Sequence, residues 1–588
     1  MIYSRKRHWQ FLEEELIAQT EAFNRKVETS ATYMLQESGE IFVGMFLSFK
    51  ESGEMVMKFS NQRPLPRKGE HLFCMTLPQA CCDYRKWGGL TYGDLIRKKT
   101  DYSEIVCVWQ SASSDPNYSL VGFRGMELEF IQFIMDSPGA ILIMGPSKPP
   151  YEYIANLQTL IANTTNLQST TILDSDYVKN DWTATLLNQK INVSAFLITQ
   201  LSLTDTVILQ GPPGTGKTFL IAELCERICQ NGYSALVTAL TNRALMEITL
   251  KPALHDMLKQ GRVYKTNLTI DESKECPYLQ PEKTLTPKPG CIELGTFYIT
   301  SGLAKEVGAN PPFDFVIMDE ASQALLAMFA ASKCLGRKNL WIGDVRQMPP
   351  VVELNEDRLT RSKYTGLVNG LETISNSSNF PIFQLSDTYR LYPRAAKYTS
   401  FFYGGNLQSV HHAEQIVNIF GKEVKSGPIL IKTDLPIGDV APKAALMICY
   451  QIVSNLIQSN PRSLIAVLSC MVKTTKELQK VIYGSIKNSS TNVIVETVAR
   501  VQGLTSEETV FVIPNASMNR SLEPRLFNVS TSRAKNHTFI IADKDVVNYP
   551  LLDNKTRQYL RELDRECSIY IPFKSSICLP NNEIKKLK

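Results

Sequence analysis

Apolar positions in the first 28 residues fall on one stripe: Trp9, Leu12, Leu16, Phe23 and Val27 recur at helical spacing among charged residues. That periodicity predicts a long amphipathic helix over 5–28. The pattern then shortens to strand length. Runs at 41–49 and 54–59 flank the hairpin-like turn Lys50-Glu-Ser-Gly53, and further runs follow at 71–77, 104–109 and 118–123. Five short strands at this spacing predict a small β-barrel over 31–126. Residues 127–135 return to helical spacing, and 140–144 read as a buried strand or turn before the Pro-rich 146–151.

From about residue 186 continuous apolar strands alternate with helices, as in a parallel sheet covered on both faces. Strands are expected at 206–210, 234–239, 313–319 and 340–344. After the Ser/Asn-rich 375–379 they resume at 463–469, 492–498, 509–514 and 537–542. The expected fold class is α/β, with two doubly wound parallel-sheet domains. The first covers 186–376, with a polar insertion at about 250–290, and the second covers 377–588 with a short tail.

The 63 Lys+Arg against 58 Asp+Glu over 588 residues leave a net +5. That balance excludes a histone-like basic binder and an acidic disordered chain. Any attraction for a polyanion must be local. The basic start is followed by Phe11-Leu-Glu-Glu-Glu15 instead of an apolar run, so no secretory signal is read. No window approaches the roughly 18 apolar residues of a membrane span. The expectation is a soluble cytoplasmic protein, with the nucleus open to it in a eukaryotic cell. The 13 cysteines, Cys81-Cys82 among them, form no CxxC and no Cys/His cluster, so reduced thiols are expected in place of zinc. His411-His412 reads as a loop feature.

Gly211-Pro212-Pro213-Gly214-Thr215-Gly216-Lys217-Thr218 sits between an expected strand and an expected helix. Glycines let backbone N–H groups curl around phosphates, lysine reaches the β/γ-phosphates, and the Thr218 hydroxyl can ligate magnesium. A second apolar strand ends in Asp319-Glu320. An aspartate there can hold the metal of Mg-ATP, and Glu320 can deprotonate the attacking water.

With Asp319-Glu320-Ala-Ser-Gln323 after the phosphate loop, the chain resembles superfamily 1 helicases. Gly343-Asp344-Val-Arg-Gln347-Met-Pro-Pro350, Asp387-Thr-Tyr389-Arg390-Leu-Tyr-Pro393 with Phe402-Tyr-Gly-Gly-Asn-Leu407, Val501-Gln502-Gly503 and Asn528-Val-Ser-Thr-Ser-Arg533-Ala-Lys535 are similar to that family's later motifs, in order. Their wording is closest to the branch of the nonsense-mediated-decay helicase and its immunoglobulin-mu-binding relative. That resemblance implies two tandem RecA-like domains, a stalk helix at 1–30, the barrel at 31–126, and a second stalk segment and connector at 127–185. It implies Gln347 at the γ-phosphate, Arg390 and Arg533 as arginine fingers, Tyr389 stacked on adenine, and Gly503 lining the nucleotide. Asn192 or Gln189 stands, in imperfect register, where the branch has an adenine-reading glutamine. Thr505 stands where an acidic residue approaches ribose, with Glu507 and Glu508 as substitutes.

The same resemblance implies single-stranded RNA or DNA held by Thr241, Asn242 and Arg243, and by Thr296, Ser301, Ser469 and Thr497. Contacts of this kind grip the backbone without reading sequence. The expected activity is that of a monomeric ATP-dependent helicase moving 5′ to 3′. The rivals are an ATP-gated clamp without processive unwinding and a phosphate-loop switch unrelated to nucleic acid.

Overall fold

Ser4 starts the first helix, Arg5–Asn24, its side chain accepting the Arg7 N–H. The helical stretch expected to residue 28 comes in two pieces, the last turn widening into a π segment at Arg25–Thr29. The buried face also differs from the apolar stripe. Leu12 is buried as expected, but Phe11, His8 and Glu15, all off that stripe, are buried with it, while Trp9 is 38% exposed. Glu15 is tolerated there because it accepts the backbone N–H groups of Glu353 and Leu354 at 2.9 and 3.1 Å.

The computed structural model describes residues 3–572 except 67–69, 79–86, 88, 116, 138, 147–150, 165–167, 176, 178–183, 378–379, 486–491 and 502. Cys81-Cys82, Gln502, the lysine-bearing tail and parts of the 146–151 and 375–379 stretches therefore lie outside the described residues. Among the described residues no helix is long and apolar enough to cross a membrane.

The barrel is closed and antiparallel. Its strands are β1 (Phe42–Phe49), β2 (Met55–Ser60), β3 (His71–Thr76), β4 (Tyr102–Ala112), β5 (Tyr118–Arg124) and β6 (Ile141–Gly145), in the order β1-β2-β5-β4-β3-β6. Thus 140–144 supplies a sixth strand, which corrects the boundary expected at 126. Five strands leave β1 and β3 as open edges, and β6 pairs with both. The helix Leu128–Met135 adds Phe130 and Ile134 to the core of Phe42, Phe59, Phe123 and Met144. It is therefore part of the barrel, not of a second stalk. The next helix, Tyr151–Asn163, packs with the first helix in the core of the first sheet.

That sheet has nine parallel strands: β7 (Thr185–Leu187), β8 (Thr206–Gln210), β9 (Ala235–Ala239), β10 (Val263–Thr266), β11 (Gln280–Glu282), β12 (Ile292–Thr296), β13 (Phe313–Met318), β14 (Gly336–Gly343) and β15 (Ile382–Leu385). Their order is β11-β10-β12-β9-β13-β14-β8-β15-β7. Every residue of β8 and β9 is buried, as two covered faces require. Two expectations change. The polar 250–290 stretch carries β10 and β11 at the sheet edge, and the first sheet runs through Leu385, past the boundary set at 376.

Two short pairs follow, β16 (Asp387–Thr388) with β17 (Gln408–Ser409) and β18 (Ile416–Ile419) with β19 (Lys422–Lys425). The second sheet then comprises β20 (Gly427–Thr433), β21 (Ile465–Ser469), β22 (Val493–Thr497), β23 (Ser506–Val512), β24 (Ala534–Asp543) and β25 (Ser568–Tyr570). It is parallel throughout, in the order β22-β21-β23-β24-β20-β25.

Candidate active site

In the first sheet the expected nucleotide residues follow the carboxyl ends of neighbouring parallel strands, where crossover folds place their ligands. The loop 211–216 leaves β8 and enters the helix Lys217–Gln230, which buries Leu220, Ile221, Leu224 and Ile228. Gly214 and Gly216 take φ of 74° and 80°, conformations a side chain resists. Gly214 is constrained twice, since a Cβ there would lie 2.3 Å from Arg390 Cβ. The Gly211 N–H donates to Gly343 O at 2.8 Å, joining the loop to the end of β14. Pro212, Pro213 and Thr215 are buried beneath it, the Thr215 hydroxyl donating to Pro212 O at 2.9 Å.

Lys217 Nζ donates to Gly211 O at 2.6 Å. Burial lowers its pKa, while the Asp344 and Asp319 carboxylates oppose that shift. Thr218 is half-buried at the start of the same helix. Asp319, 5% exposed, follows β13, and its N–H donates to Thr238 O at 2.9 Å. One Asp319 oxygen accepts the Glu320 N–H at 2.8 Å. Glu320 has φ 50°, a left-handed backbone that costs about 1–2 kcal/mol in a non-glycine residue and recurs at functional sites. Burial, then the Asp319 charge, pushes its carboxyl up to about 7. A Cβ at Gly503 would stand 3.9 Å from Glu320 Oε1, so Gly503 reaches the same place.

The 387–393 segment docks onto the phosphate loop. Thr388 Oγ1 donates to Pro213 O at 3.0 Å, and the Tyr389 N–H donates to Gly214 O at 2.8 Å. The Tyr389 ring stays 54% exposed beside Gly216, and its carbonyl lies 2.9 Å from His411 Nε2. Arg390 and Arg533 are held by carbonyls near the C-terminus of one helix, Pro524–Thr531, where the helix dipole favours cations. Arg390 donates to Ser532 O at 3.3 Å and Arg533 Nε to Val529 O at 3.0 Å. Arg533 is 2% exposed, and among the described residues its Nη2 has no hydrogen-bond partner. Burial lowers both guanidinium pKa values, Arg390 to about 10 and Arg533, which also feels Arg390, to about 9. Two buried cations with an unpaired donor beside a glycine-turned loop fit a polyphosphate, and Thr218 with Asp319 fits its magnesium.

Other expected residues lie elsewhere or are otherwise engaged. The Asn192 side-chain Oδ1 caps the helix Val193–Leu203, accepting the Ala195 N–H at 3.1 Å, while the Gln189 N–H donates to Asp387 at 2.5 Å. The proposed ribose substitutes are corrected: Glu507 accepts the Leu464 N–H at 2.9 Å, and Glu508 accepts the His537 N–H at 3.1 Å and faces its ring at 3.0 Å. Thr241 caps the helix Asn242–Thr249, with Asn242 and Arg243 exposed beside it. Arg243 pairs with Glu247 and Glu275 at 3.3 and 3.2 Å.

Thr296 is half-buried ahead of the helix Phe297–Ala304. Ser301 is wholly buried, its hydroxyl donating to Tyr298 O at 2.9 Å, and Ser469 is equally buried at the end of β21. As direct strand contacts both are corrected, and Thr497 is 8% exposed. Sequence reasoning missed Thr388 and Asp344 as site members. Asp344 holds Gln347, whose Nε2 donates to its Oδ2 at 2.8 Å.

Residues 196–353 match the AAA domain family AAA_19. The DNA replication ATP-dependent helicase/nuclease DNA2 of Bos taurus is 28% identical over 193 residues, 32% of this chain and 18% of that protein. A probable helicase with zinc finger domain from Mus musculus is 27% identical over 229 residues, 34% of this chain and 11% of its own. The matches thus span less than a fifth of these relatives' length. Among solved structures, the Arterivirus nonstructural protein 10 helicase covers 83% of this chain and 79% of its own at 12% identity and TM-score 0.36. The phosphate loop 211–218 lies within the residues that match this family, and both of these relatives are named as helicases.

Proposed function

We propose that the chain is an ATP-driven motor on single-stranded RNA or DNA, with two RecA-like domains that close on Mg-ATP and reopen after hydrolysis to move the strand 5′ to 3′. The branch likeness drawn from the sequence belongs to the same proposal, supported by the order of helix, barrel and two parallel sheets. One observation carries it. Arg390 packs on the phosphate loop, where a Cβ at Gly214 would lie 2.3 Å from its own Cβ, and Arg533, from beside the second sheet, lies within electrostatic reach of Lys217 and Glu320.

In this reading the 211–216 backbone cradles the phosphates and Lys217 neutralises their β/γ oxygens. Thr218 and Asp319 hold the magnesium ion, which supplies further charge neutralisation. Glu320 accepts the proton of the attacking water, and a carboxyl poised near 7 suits that task. Arg390 and Arg533 stabilise the charge that spreads over the transferring phosphoryl group, with Gln347 at its edge. Domain closure brings the two sets together, so hydrolysis depends on their relative position.

The test is magnesium-dependent ATP hydrolysis with matched single-stranded RNA and DNA, DNA being the polymer named for the DNA2 relatives. Hydrolysis should rise severalfold with one polymer, and Lys217→Ala and Glu320→Gln should each lower it by about 100-fold or more. No stimulation by either polymer sinks the reading. Strand affinity that changes with nucleotide, together with a blank strand-displacement assay, would leave the gated clamp.

A further inference from the structure

Asp344 is 2% exposed at the end of β14, and both its oxygens are filled. Oδ1 accepts from Gln210 Nε2 at 2.6 Å and from the Arg346 N–H at 3.0 Å. Oδ2 accepts from Gln347 Nε2 at 2.8 Å and from the Tyr403 hydroxyl at 2.7 Å. A carboxylate stripped of water needs such donors, and Tyr403 is the one that comes from outside the first sheet.

Tyr403 belongs to the apolar core of the second sheet, with Tyr398, Phe402, Phe511 and Phe527. Its oxygen accepts from Asn528 Nδ2 at 2.8 Å, and the same amide group donates to Arg346 O at 2.9 Å. Asn528 is wholly buried in the helix Pro524–Thr531, at whose end Arg390 and Arg533 are held. A continuous line of hydrogen bonds therefore runs from Gln347 through Asp344, Tyr403 and Asn528 to the helix of the paired arginines.

We propose that Tyr403 is a positioning residue for ATP hydrolysis: its hydroxyl couples the Gln347 turn of the first sheet to the arginine-holding helix of the second. This rests on the motor reading above. The tyrosine ring fills core space whether or not the hydroxyl is present, so Tyr403→Phe removes the Asp344–Tyr403–Asn528 link and leaves the Asn528 bond to Arg346 O between the two segments. The two segments are then coupled more weakly, and the closed arrangement that presents Gln347 and Arg533 together becomes rarer.

The experiment compares wild type with Tyr403→Phe by amide hydrogen exchange without nucleotide and by steady-state ATP hydrolysis. Exchange should quicken about tenfold in both 344–348 and 526–533, with the melting temperature little changed. The kcat should fall by about 10–100-fold while the KM for ATP stays within about twofold. Asn528→Ala should reproduce both effects and add little to Tyr403→Phe, and it stands in if the first variant fails to fold. Faster exchange confined to 401–405, or a kcat within about twofold of wild type, overturns the proposal. Paired exchange changes in a protein that no strand stimulates would sink the motor reading and keep the coupling.

Discussion

The proposed nucleotide cleft and the face expected to hold a nucleic-acid strand answered the same kind of sequence reading in opposite ways. At the first, Lys217 is within electrostatic reach of Asp319, Glu320, Arg390 and Arg533. On the strand face, Thr241, Asn242 and Arg243 gather at the exposed start of one helix, whereas Ser301 and Ser469 are wholly buried. Lys217, Asp319 and Glu320 follow the ends of parallel strands, where backbone pairing sets their place. Ser301 lies inside a helix whose phase turns it into the core, Ser469 is buried with the strand that it ends, and a motif's spacing reveals neither.

The largest effect that divides the two regions is expected at Arg533. Its buried guanidinium donates to the Val529 and Leu504 carbonyls, and burial works against its charge. Arg533→Ala should therefore lower kcat by about 1000-fold, the scale of an arginine finger, while leaving the melting temperature unchanged or higher. A large loss of stability with hydrolysis retained would make it a structural arginine and weaken the contrast.

Glu320 gives a smaller effect with a definite sign. Its carboxyl is raised from an ordinary 4.5 to about 7, so the base is ionised only above that pH. Strand-stimulated kcat should climb about tenfold per unit of pH below 7 and level off above it. The stability linkage runs the other way. A raised carboxyl favours the folded state below 4.5, and that contribution is lost as pH rises through 7. Glu320→Gln, which cannot ionise, should therefore melt higher than wild type at about pH 8 and nearly level with it at about pH 5. A flat rate profile between pH 6 and 8, or a melting gap independent of pH, contradicts the placement of this carboxylate.

The two regions also mark what was legible beforehand. The fully buried β8 and β9 were readable because continuous apolar runs admit one environment, a sheet covered on both faces. The closing strand β6 was ambiguous, since five apolar residues beyond a helix do not reveal which edges they join. Glu15 was missed because a buried polar residue looks exposed until its partners, here the backbone of 353–354, are placed beside it. Asp344 stood inside a recognised motif, yet its partners come from 134 and 59 residues away, beyond any local pattern. Asn192 was assigned to adenine by its position, and its side-chain Oδ1 serves as a helix cap, a common use of asparagine at a helix start.

The smallest effects test the strand face from within. Arg243 is exposed and, among the described residues, pairs with the surface carboxylates of Glu247 and Glu275, pairs that contribute little to folding. If it meets a phosphate, Arg243→Ala should weaken single-strand binding about 3–10-fold at low salt and reduce the salt slope by about one, with melting unchanged. Ser301→Ala should do the reverse. Its hydroxyl bonds Tyr298 O inside the core, so its removal should cost about 1 kcal/mol of stability and leave strand affinity where it was. Fluorescence anisotropy with a labelled oligomer across a salt series, paired with thermal melts, reads both variants. Equal binding losses for the two would mean that Ser301 reaches the strand in a conformation in which this helix has moved, and the division between cleft and strand face would no longer hold.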